Sequence, residues 1–408
     1  MKIAVLHPSY EGSSSPFKDL EPDCDPARYL PEHECTNFRI AKATAVRDVA
    51  AIARQGFELA INLCDGAWDE DRAGIEVVQA LERIGMAFTG AGSAFYDPSR
   101  ESMKMACHSV GVAFPAYWIV RGRPNLEDAV EDAAAALRFP LLVKHPHGYS
   151  SVGLTPGSRV SNAEELRAQA ETIVAEHGSA LVEEFIEGRE FTVLVAEARD
   201  ARELAWALAP VEFLFPEGES FKHFDLKWKD YDRMTTRAVT EEPLASRLRE
   251  AAALTFAALN GTGYGRCDMR MDAAGNIFVL EINPYCGVFY PEGAYGSADF
   301  ILAADPAGNR GFLEHLIRCA LRRRDRERRA WELRYRRKQG FGMVAARRLR
   351  AGEVVERYEE RAHMLVSRHH CGTTLGGLEA AMVRALRVAN YRRIARNVER
   401  QSRRLAPD

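Results

Sequence analysis

The stretch Tyr264-Gly265-Arg266-Cys267-Asp268-Met269-Arg270-Met271-Asp272, then Ala273-Ala274-Gly275-Asn276, then Ile277-Phe278-Val279-Leu280-Glu281-Ile282-Asn283 decides the fold. Two strand-like runs flank a polar, glycine-containing connection, the pattern of a β-hairpin with a longer loop. Pairing Asp272 with Ile277 sets Asp268 opposite Glu281 and Arg266 opposite Asn283. Alternate side chains on a strand share a face, so these four polar groups are expected on one patch. Two carboxylates directly across a ladder repel unless a cation lies between them. The oxygen donors of Asp268, Glu281 and Asn283 suit magnesium, which keeps several waters and takes further ligands from substrate phosphates. Ile277 and Val279 have the parity of Glu281, so that face should run from apolar residues into the acidic patch, as at a cleft floor.

Upstream, strands and helices alternate. Lys2–His7 reads as a buried strand, and the run from Gly12 through Pro16, Pro22, Pro26 and Pro31 as a long irregular loop. Ala41–Arg54 and Gly74–Ile84 have helical spacing, and Leu59–Leu63 is a strand between them. Pro140–Lys144 reads as a strand, followed by a small-residue loop at Gly148–Gly153. A helix is expected from Ser161, whose capping box would close with Glu164. Strands are expected at Ala180–Ile186, Glu190–Ala196 and Leu204–Phe213, then a helix at Leu244–Leu259 stopped by Asn260-Gly261. The opening region is therefore α/β.

The 408 residues allow two or three domains, and 47% apolar with 28% charged residues is an ordinary globular balance. A net charge of -3 gives no whole-chain attraction to nucleic acid, although Arg318–Lys338 is basic. Eight cysteines (Cys24, Cys35, Cys64, Cys107, Cys267, Cys286, Cys319 and Cys371) lack zinc-like spacing and fit reduced thiols. No apolar run reaches the roughly 20 residues of a membrane span, so the expected location is the cytoplasm, with no membrane or nucleic-acid partner.

Lys144 ends an apolar strand, and Gly148-Tyr149-Ser150-Ser151-Val152-Gly153 could fold its backbone donors and hydroxyls over a triphosphate. The chain crossing between Glu183 and Glu190 would expose backbone groups to a planar base, with a carboxylate for ribose hydroxyls. Beside these stand Thr89-Gly90, Arg100 and Lys104 ahead of Gly111-Val112, Val182-Glu183-Glu184-Phe185-Ile186, Gly188-Arg189-Glu190-Phe191-Thr192-Val193, Phe224-Asp225-Leu226-Lys227 and Glu281-Ile282-Asn283-Pro284. In this order, from about Leu59 to Leu302, the chain resembles the ATP-grasp superfamily and within it the D-alanine–D-alanine ligase family.

The resemblance implies an α/β chain of three parts: a Rossmann-like pre-ATP-grasp domain over 1–96, a two-lobed ATP-grasp domain over 97–320 with a lid at about 113–190, and a remainder over 321–408. It implies ATP and two magnesium ions, with manganese as a substitute. Lys144, Lys227 and Arg100 would contact phosphates, with Ser150 and Ser151 in the covering loop. Glu183, Glu184 and Ile186 would line adenine, Glu190 would hold the ribose, and Asp268, Glu281 and Asn283 would hold metal. The implied chemistry is phosphorylation of a small carboxylate, then attack by an amine, with Arg266 and the backbone donor of Gly287 stabilising the oxyanion. A homodimer fits the family.

The chain also departs from that pattern. Arg100 and Trp228 stand where the family has lysine and tyrosine, and Pro284–Tyr290 lacks its serine-rich run for the second amino acid's carboxylate. Ser297 is the next serine, and Tyr285, Phe289 and Tyr290 suggest a larger or more aromatic acceptor pocket. Glu11 is the N-terminal loop acid considered for a substrate amine; a loop glutamate is usually solvated.

Arg322–Lys338 reads as a solvated basic helix. Gly340–Ala345, Ala351–Val355 and Glu359-Glu360 resemble the opening of a SET methyltransferase domain without its completing asparagine-histidine-serine-cysteine motif, and Cys371–Asp408 reads as a helical tail. The rival expectation is a SET-type protein-lysine methyltransferase or partner-binding module with a vestigial ATP site.

Overall fold

The computed structural model describes residues 1–345 except 16, 17, 19, 20, 68, 69, 123–125, 148–150, 152 and 336–342, with side chains described as far as 327. Strands β1 (Lys2–Pro8), β2 (Glu34–Ile40), β3 (Leu59–Asn62) and β4 (Ala87–Phe88) form a parallel sheet in the order β2-β1-β3-β4. Helices α1 (Ala45–Ala53) and α2 (Ile75–Ile84) connect them. β1 and β3 are buried almost throughout, as central parallel strands must be. β2 was not expected: at the sheet edge, Glu34–Ile40 exposes most of its side chains and has no apolar run to announce it.

Helix α3 (Arg100–Ser109), capped by Ser99 accepting from the N–H of Ser102, leads into the segment expected as a lid. There β5 (Tyr117–Arg121), β6 (Leu141–Lys144), β7 (Arg159–Val160) and β8 (Ser179–Glu184) pair antiparallel in the order β5-β8-β6-β7. Helices α4 (Leu126–Ala136) and α5 (Ala163–His177) pack on this sheet around a core of its own that includes Val120, Val130, Leu141, Val143, Leu166 and Val182. The α5 cap is Asn162 rather than Ser161. Its side-chain oxygen accepts from the N–H groups of Glu164 and Glu165, while the Ser161 N–H donates to Glu165.

A third sheet runs β12-β11-β9-β13-β14, built from β9 (Arg189–Glu197), β11 (Val211–Leu214), β12 (Thr235–Ala238), β13 (Tyr264–Met271) and β14 (Ile277–Pro284), with β10 (Ala205–Ala207) paired to β9. The single strand expected over 204–213 is thus two, interrupted before Val211. Helix α6 (Phe224–Trp228) is short, α7 (Glu242–Ala258) packs on β9 and β10, and α8 (Ser297–Ala304) on β9. After α7 the left-handed residue is Asn260 at φ 53°, not Gly261, where a Cβ would lie 2.6 Å from the Phe256 ring.

The hairpin β13-β14 starts one residue out of the expected register. Met271, not Asp272, pairs with Ile277, and Met269 pairs with Val279. A bulge at Leu280 then restores Asp268 opposite Glu281 and Arg266 opposite Asn283. The bulge also reverses the parity of β14: Val279 joins Cys267, Met269 and Ile282 in the core, and Ile277 packs against that same core. The apolar-to-acidic face expected through Ile277, Val279 and Glu281 therefore does not exist.

Residues 1–323 make one compact unit and 324–408 a second. Helix α9 (Gly308–Glu332) buries Phe312, Leu313, Leu316 and Ile317. The basic stretch is not wholly solvated, since Arg323 pairs with Glu197 at 3.1 Å and donates to the carbonyl of Phe88 at 2.6 Å. It is not helical throughout either: β15 (Leu333–Tyr335) pairs antiparallel with β16 (Met343–Ala345). The rest of the SET-like segment and the tail lie outside the described residues. The seven described cysteines are free, and among the described residues no helix is long and apolar enough to cross a membrane.

Candidate active site

A cavity of about 890 Å³ opens between the lid and the β13-β14 hairpin. Its acidic patch comes from alternation along two paired strands. Asp268 is held on both oxygens by Arg266, Nε to Oδ1 at 3.0 Å and Nη2 to Oδ2 at 2.7 Å, and accepts from Thr192 of β9 at 2.7 Å. Glu281 is ion-paired with Arg100 at the start of α3. Asn283 bridges the two carboxylates, its Nδ2 donating to Asp268 at 3.2 Å and to Glu281 at 3.1 Å.

Both carboxylates stay ionised despite burial. Burial alone would raise Asp268, but Arg266 and Lys222 outweigh it and lower its pKa. Glu281 is likewise lowered by Arg100, Lys144 and the Asn283 hydrogen bond, again against burial. Among the described residues no three His, Cys, Asp or Glu side chains are grouped to hold a metal ion unaided. Two anionic carboxylates with an amide between them nevertheless fit magnesium, which takes much of its shell from water and phosphate. Turning the Asn283 amide would present Oδ1 in place of Nδ2, so the residues present fit the ion.

Above the patch, Glu183 is 2% exposed and lies between two lysines. Lys104 is 2.6 Å from Oε1, and Lys144 is ion-paired with Oε2. Burial pushes Glu183 up, yet Lys104, Lys144 and Arg100 bring its pKa down to about 2. Burial and Arg100 lower Lys144 to about 8, against the pull of Glu183. Lys227 is lowered to about 7 by burial and by Arg266 and Lys222. The cavity thus carries two lysines with depressed pKa values, ready to gain charge when an anion arrives.

The residues expected at the base and ribose are all on the cavity wall, in different surroundings. Glu184 is taken by Arg138, through its N–H at 3.0 Å and Nη2 at 3.1 Å. Glu183 serves as counter-ion to the lysines, while Phe185 and Ile186 supply apolar wall. Glu190 is 3.0 Å from Lys222 and 3.0 Å from Arg270. Ser151, at φ 61°, donates to the carbonyl of Lys222 at 2.9 Å, and Ser150 lies outside the described residues. At Gly287 a Cβ would stand 2.2 Å from the Tyr290 hydroxyl, so only glycine fits there.

Sequence reasoning missed Lys222, Arg270 and the N-terminal acid. Arg270 shares the parity of Arg266 and Asp268, a signal that could have found it. Glu11 is exposed, whereas Glu21 lines the cavity and accepts from Tyr290 at 2.7 Å. Arg72, 3% exposed, gathers Glu21 at 3.0 Å, Asp65 at 3.1 Å and Glu70 at 2.8 Å. Of the three aromatics expected in an acceptor pocket, Tyr285 and Tyr290 line the cavity, the Tyr285 hydroxyl accepting from Asn62 at 3.0 Å, whereas Phe289 packs in the core.

Comparison with known proteins agrees with this architecture. The family model described as D-ala D-ala ligase C-terminus matches residues 107–290. The D-alanine–D-alanine ligase of Bordetella petrii is 30% identical over 252 residues, covering 60% of this chain and 72% of that protein. Among solved structures, the VanG D-Ala:D-Ser ligase of Enterococcus faecalis aligns with a TM-score of 0.57 at 18% identity over 78% of this chain and 99% of that one. The Bacillus anthracis D-alanine–D-alanine ligase complexed with ATP aligns with a TM-score of 0.56 at 19% identity, over 80% and 99%.

Proposed function

The chain belongs to the D-alanine–D-alanine ligase family and is an ATP-dependent ligase, and on that premise we propose how its own residues divide the work of joining a carboxylate to an amine. The observation that carries the proposal is the convergence of Asp268, Glu281 and Asn283 on one wall of a cavity that Lys144 and Lys227 also line.

In this reading Phe185 and Ile186 pack against adenine and Glu190 receives the ribose hydroxyls. Lys144, Lys227 and Arg100 hold phosphate oxygens, and Ser150 and Ser151 offer them hydroxyls. Asp268, Glu281 and Asn283 hold magnesium, two ions with manganese able to replace them, and the metal supplies charge neutralisation on the transferring phosphoryl group. Arg100, ion-paired with Glu281 here, would exchange that partner for phosphate oxygens.

The γ-phosphoryl group passes to the substrate carboxylate, giving an acyl phosphate. The amine attacks the acyl carbon, and phosphate leaves as the amide forms. Arg266, fixed by its two hydrogen bonds to Asp268, and the N–H of Gly287 face the oxyanion of that second step. A donor in this role lowers the barrier by about 3 kcal/mol. Nothing more is required of the protein than positioning, charge and exclusion of water.

The rival methyltransferase or binding-module reading is set aside because a vestigial site need not keep this whole set assembled. The scattered free cysteines support a cytoplasmic setting. ADP release should require magnesium together with a carboxylate and an amine. Asp268→Asn and Glu281→Gln should each abolish it with an unchanged circular dichroism spectrum; full turnover in both would end this reading.

A further inference from the structure

The part of the cavity beyond Asn283 has an aromatic wall of Trp228, Tyr231, Tyr290, Tyr295 and Phe300. Tyr231 and Phe300 are stacked with centroids 6.3 Å apart, and Tyr295 meets Phe300 edge-on at 5.8 Å. Tyr290 is wedged between Gly287 and Gly296, where added Cβ atoms would lie 2.2 Å and 2.9 Å from its side chain. Two exposed acids, Asp232 and Glu292, also line this part, and Glu21 reaches it through the Tyr290 hydroxyl.

Four basic groups around this wall already have acidic partners, and Arg28 donates instead to the Tyr290 carbonyl at 2.8 Å. Arg266 grips Asp268, Lys222 is 3.0 Å from Glu190, and Lys229 is 2.6 Å from Asp225. Arg72 is shared among Glu21, Asp65 and Glu70. Lys227, above the Trp228 ring at 5.5 Å, is the lysine assigned to phosphate.

An α-amino acid entering as the amine would bring a carboxylate, which on leaving water needs donors or a cation to replace its hydration. Along this wall it would meet Asp232 and Glu292 instead, and like charges brought together across a binding surface are strongly penalised. Aromatic faces suit the opposite kind of ligand, an apolar or aromatic body carrying an ammonium group.

We propose that the amine substrate is an arylalkylamine without a carboxylate of its own, its ring received by Tyr231, Tyr295 and Phe300, with Asp232 and Glu292 discriminating against amino acids. The inference rests on the ligase reading, in which this end of the cavity admits the amine. The chemistry is unchanged: the C–N bond forms, the acyl C–O bond to phosphate breaks, phosphate leaves with its electron pair, and the ammonium protons pass to solvent.

Tyramine and tyrosine differ by one carboxylate and so isolate the point. Binding of tyramine, L-tyrosine and D-tyrosine to the full chain is measured by calorimetry with ADP and magnesium present. Tyramine should bind about tenfold or more tightly than either tyrosine, and Glu292→Lys, at an exposed position, should narrow that ratio severalfold. Tyrosine binding as tightly as tyramine, no binding of tyramine, or an unchanged ratio in Glu292→Lys would overturn the inference. ADP binding, measured first, separates the two failures: its absence counts against the ligase reading and takes this inference with it, whereas ADP binding with the wrong order of amines counts against this inference alone.

Discussion

Replacing Glu183 by glutamine removes the one carboxylate between Lys104 and Lys144 while keeping its shape. Glu183 is 2% exposed and its pKa falls from 4.5 to about 2, which corresponds to roughly 3 kcal/mol of favourable interaction with its surroundings. Breaking a buried ion pair by removing one partner costs about 3–5 kcal/mol, because the other charge is left uncompensated. The two routes agree. Within the lid and its neighbours, Glu183→Gln should therefore lower Tm by about 6–12 °C. The Glu183 contribution is fully present above pH 4.5 and is lost as pH falls toward 2, so the two proteins should converge in acid. ATP brings anions to the same lysines, so it should raise Tm more in the variant than in the wild type. The assay is thermal unfolding followed by circular dichroism, with and without ATP. A loss below about 1 kcal/mol, the level of an exposed pair, or an equal ATP effect in both proteins, would refute the reasoning.

Lys144 at about 8 and Lys227 at about 7 should both be driven to the charged form by a triphosphate. ATP binding at pH 8 should then take up roughly one to two protons, and affinity should weaken as pH rises through 7 to 8; calorimetry in buffers of different ionisation enthalpy reads this, and no buffer dependence would contradict it. Asp299 accepts the N–H groups of Phe289 at 2.8 Å and Gly296 at 3.1 Å and so ties the loop after Asn283 to α8. Asp299→Asn should speed hydrogen exchange in residues 287–296 several-fold without weakening ATP binding, and unchanged exchange would rule out that role. Burial raises Asp299 to about 7, so its carboxyl binds a proton more tightly folded than unfolded. Stability should decline as pH rises from 3.8 through 7, and Asp299→Asn should flatten that slope in urea unfolding at several pH values.

The acidic patch was legible because strand alternation needs only the spacing of Arg266, Asp268, Glu281 and Asn283. Its register was reached through two compensating errors. The turn was placed one residue out, and the bulge at Leu280, which no glycine marks, corrected it. The side of the sheet taken by Ile277 and Val279 could not survive that shift. Glu183 and Glu184, expected together at adenine, both line the cavity; what the sequence does not show is that β8 sends one side chain to the lysines and the other to Arg138, as neighbours on a strand must diverge. Other features depend on distant partners. Arg72 meets Glu21 across 51 positions, and Tyr231 stacks on Phe300 from another element, with no local pattern to announce either contact. The edge strand β2 was illegible for a different reason: an exposed strand needs no apolar face.

The most direct test of acyl-phosphate chemistry follows the oxygen. A carboxylate that supports ADP release, labelled with ¹⁸O in its carboxyl group, is turned over with ATP, magnesium and amine, and the phosphate is examined by mass spectrometry. Ligation through an acyl phosphate places one ¹⁸O from the carboxylate in each phosphate released, and this transfer should vanish in Asp268→Asn and Glu281→Gln. Formation of AMP and pyrophosphate with ¹⁸O in the AMP, or amide formation with no label in phosphate, would contradict it.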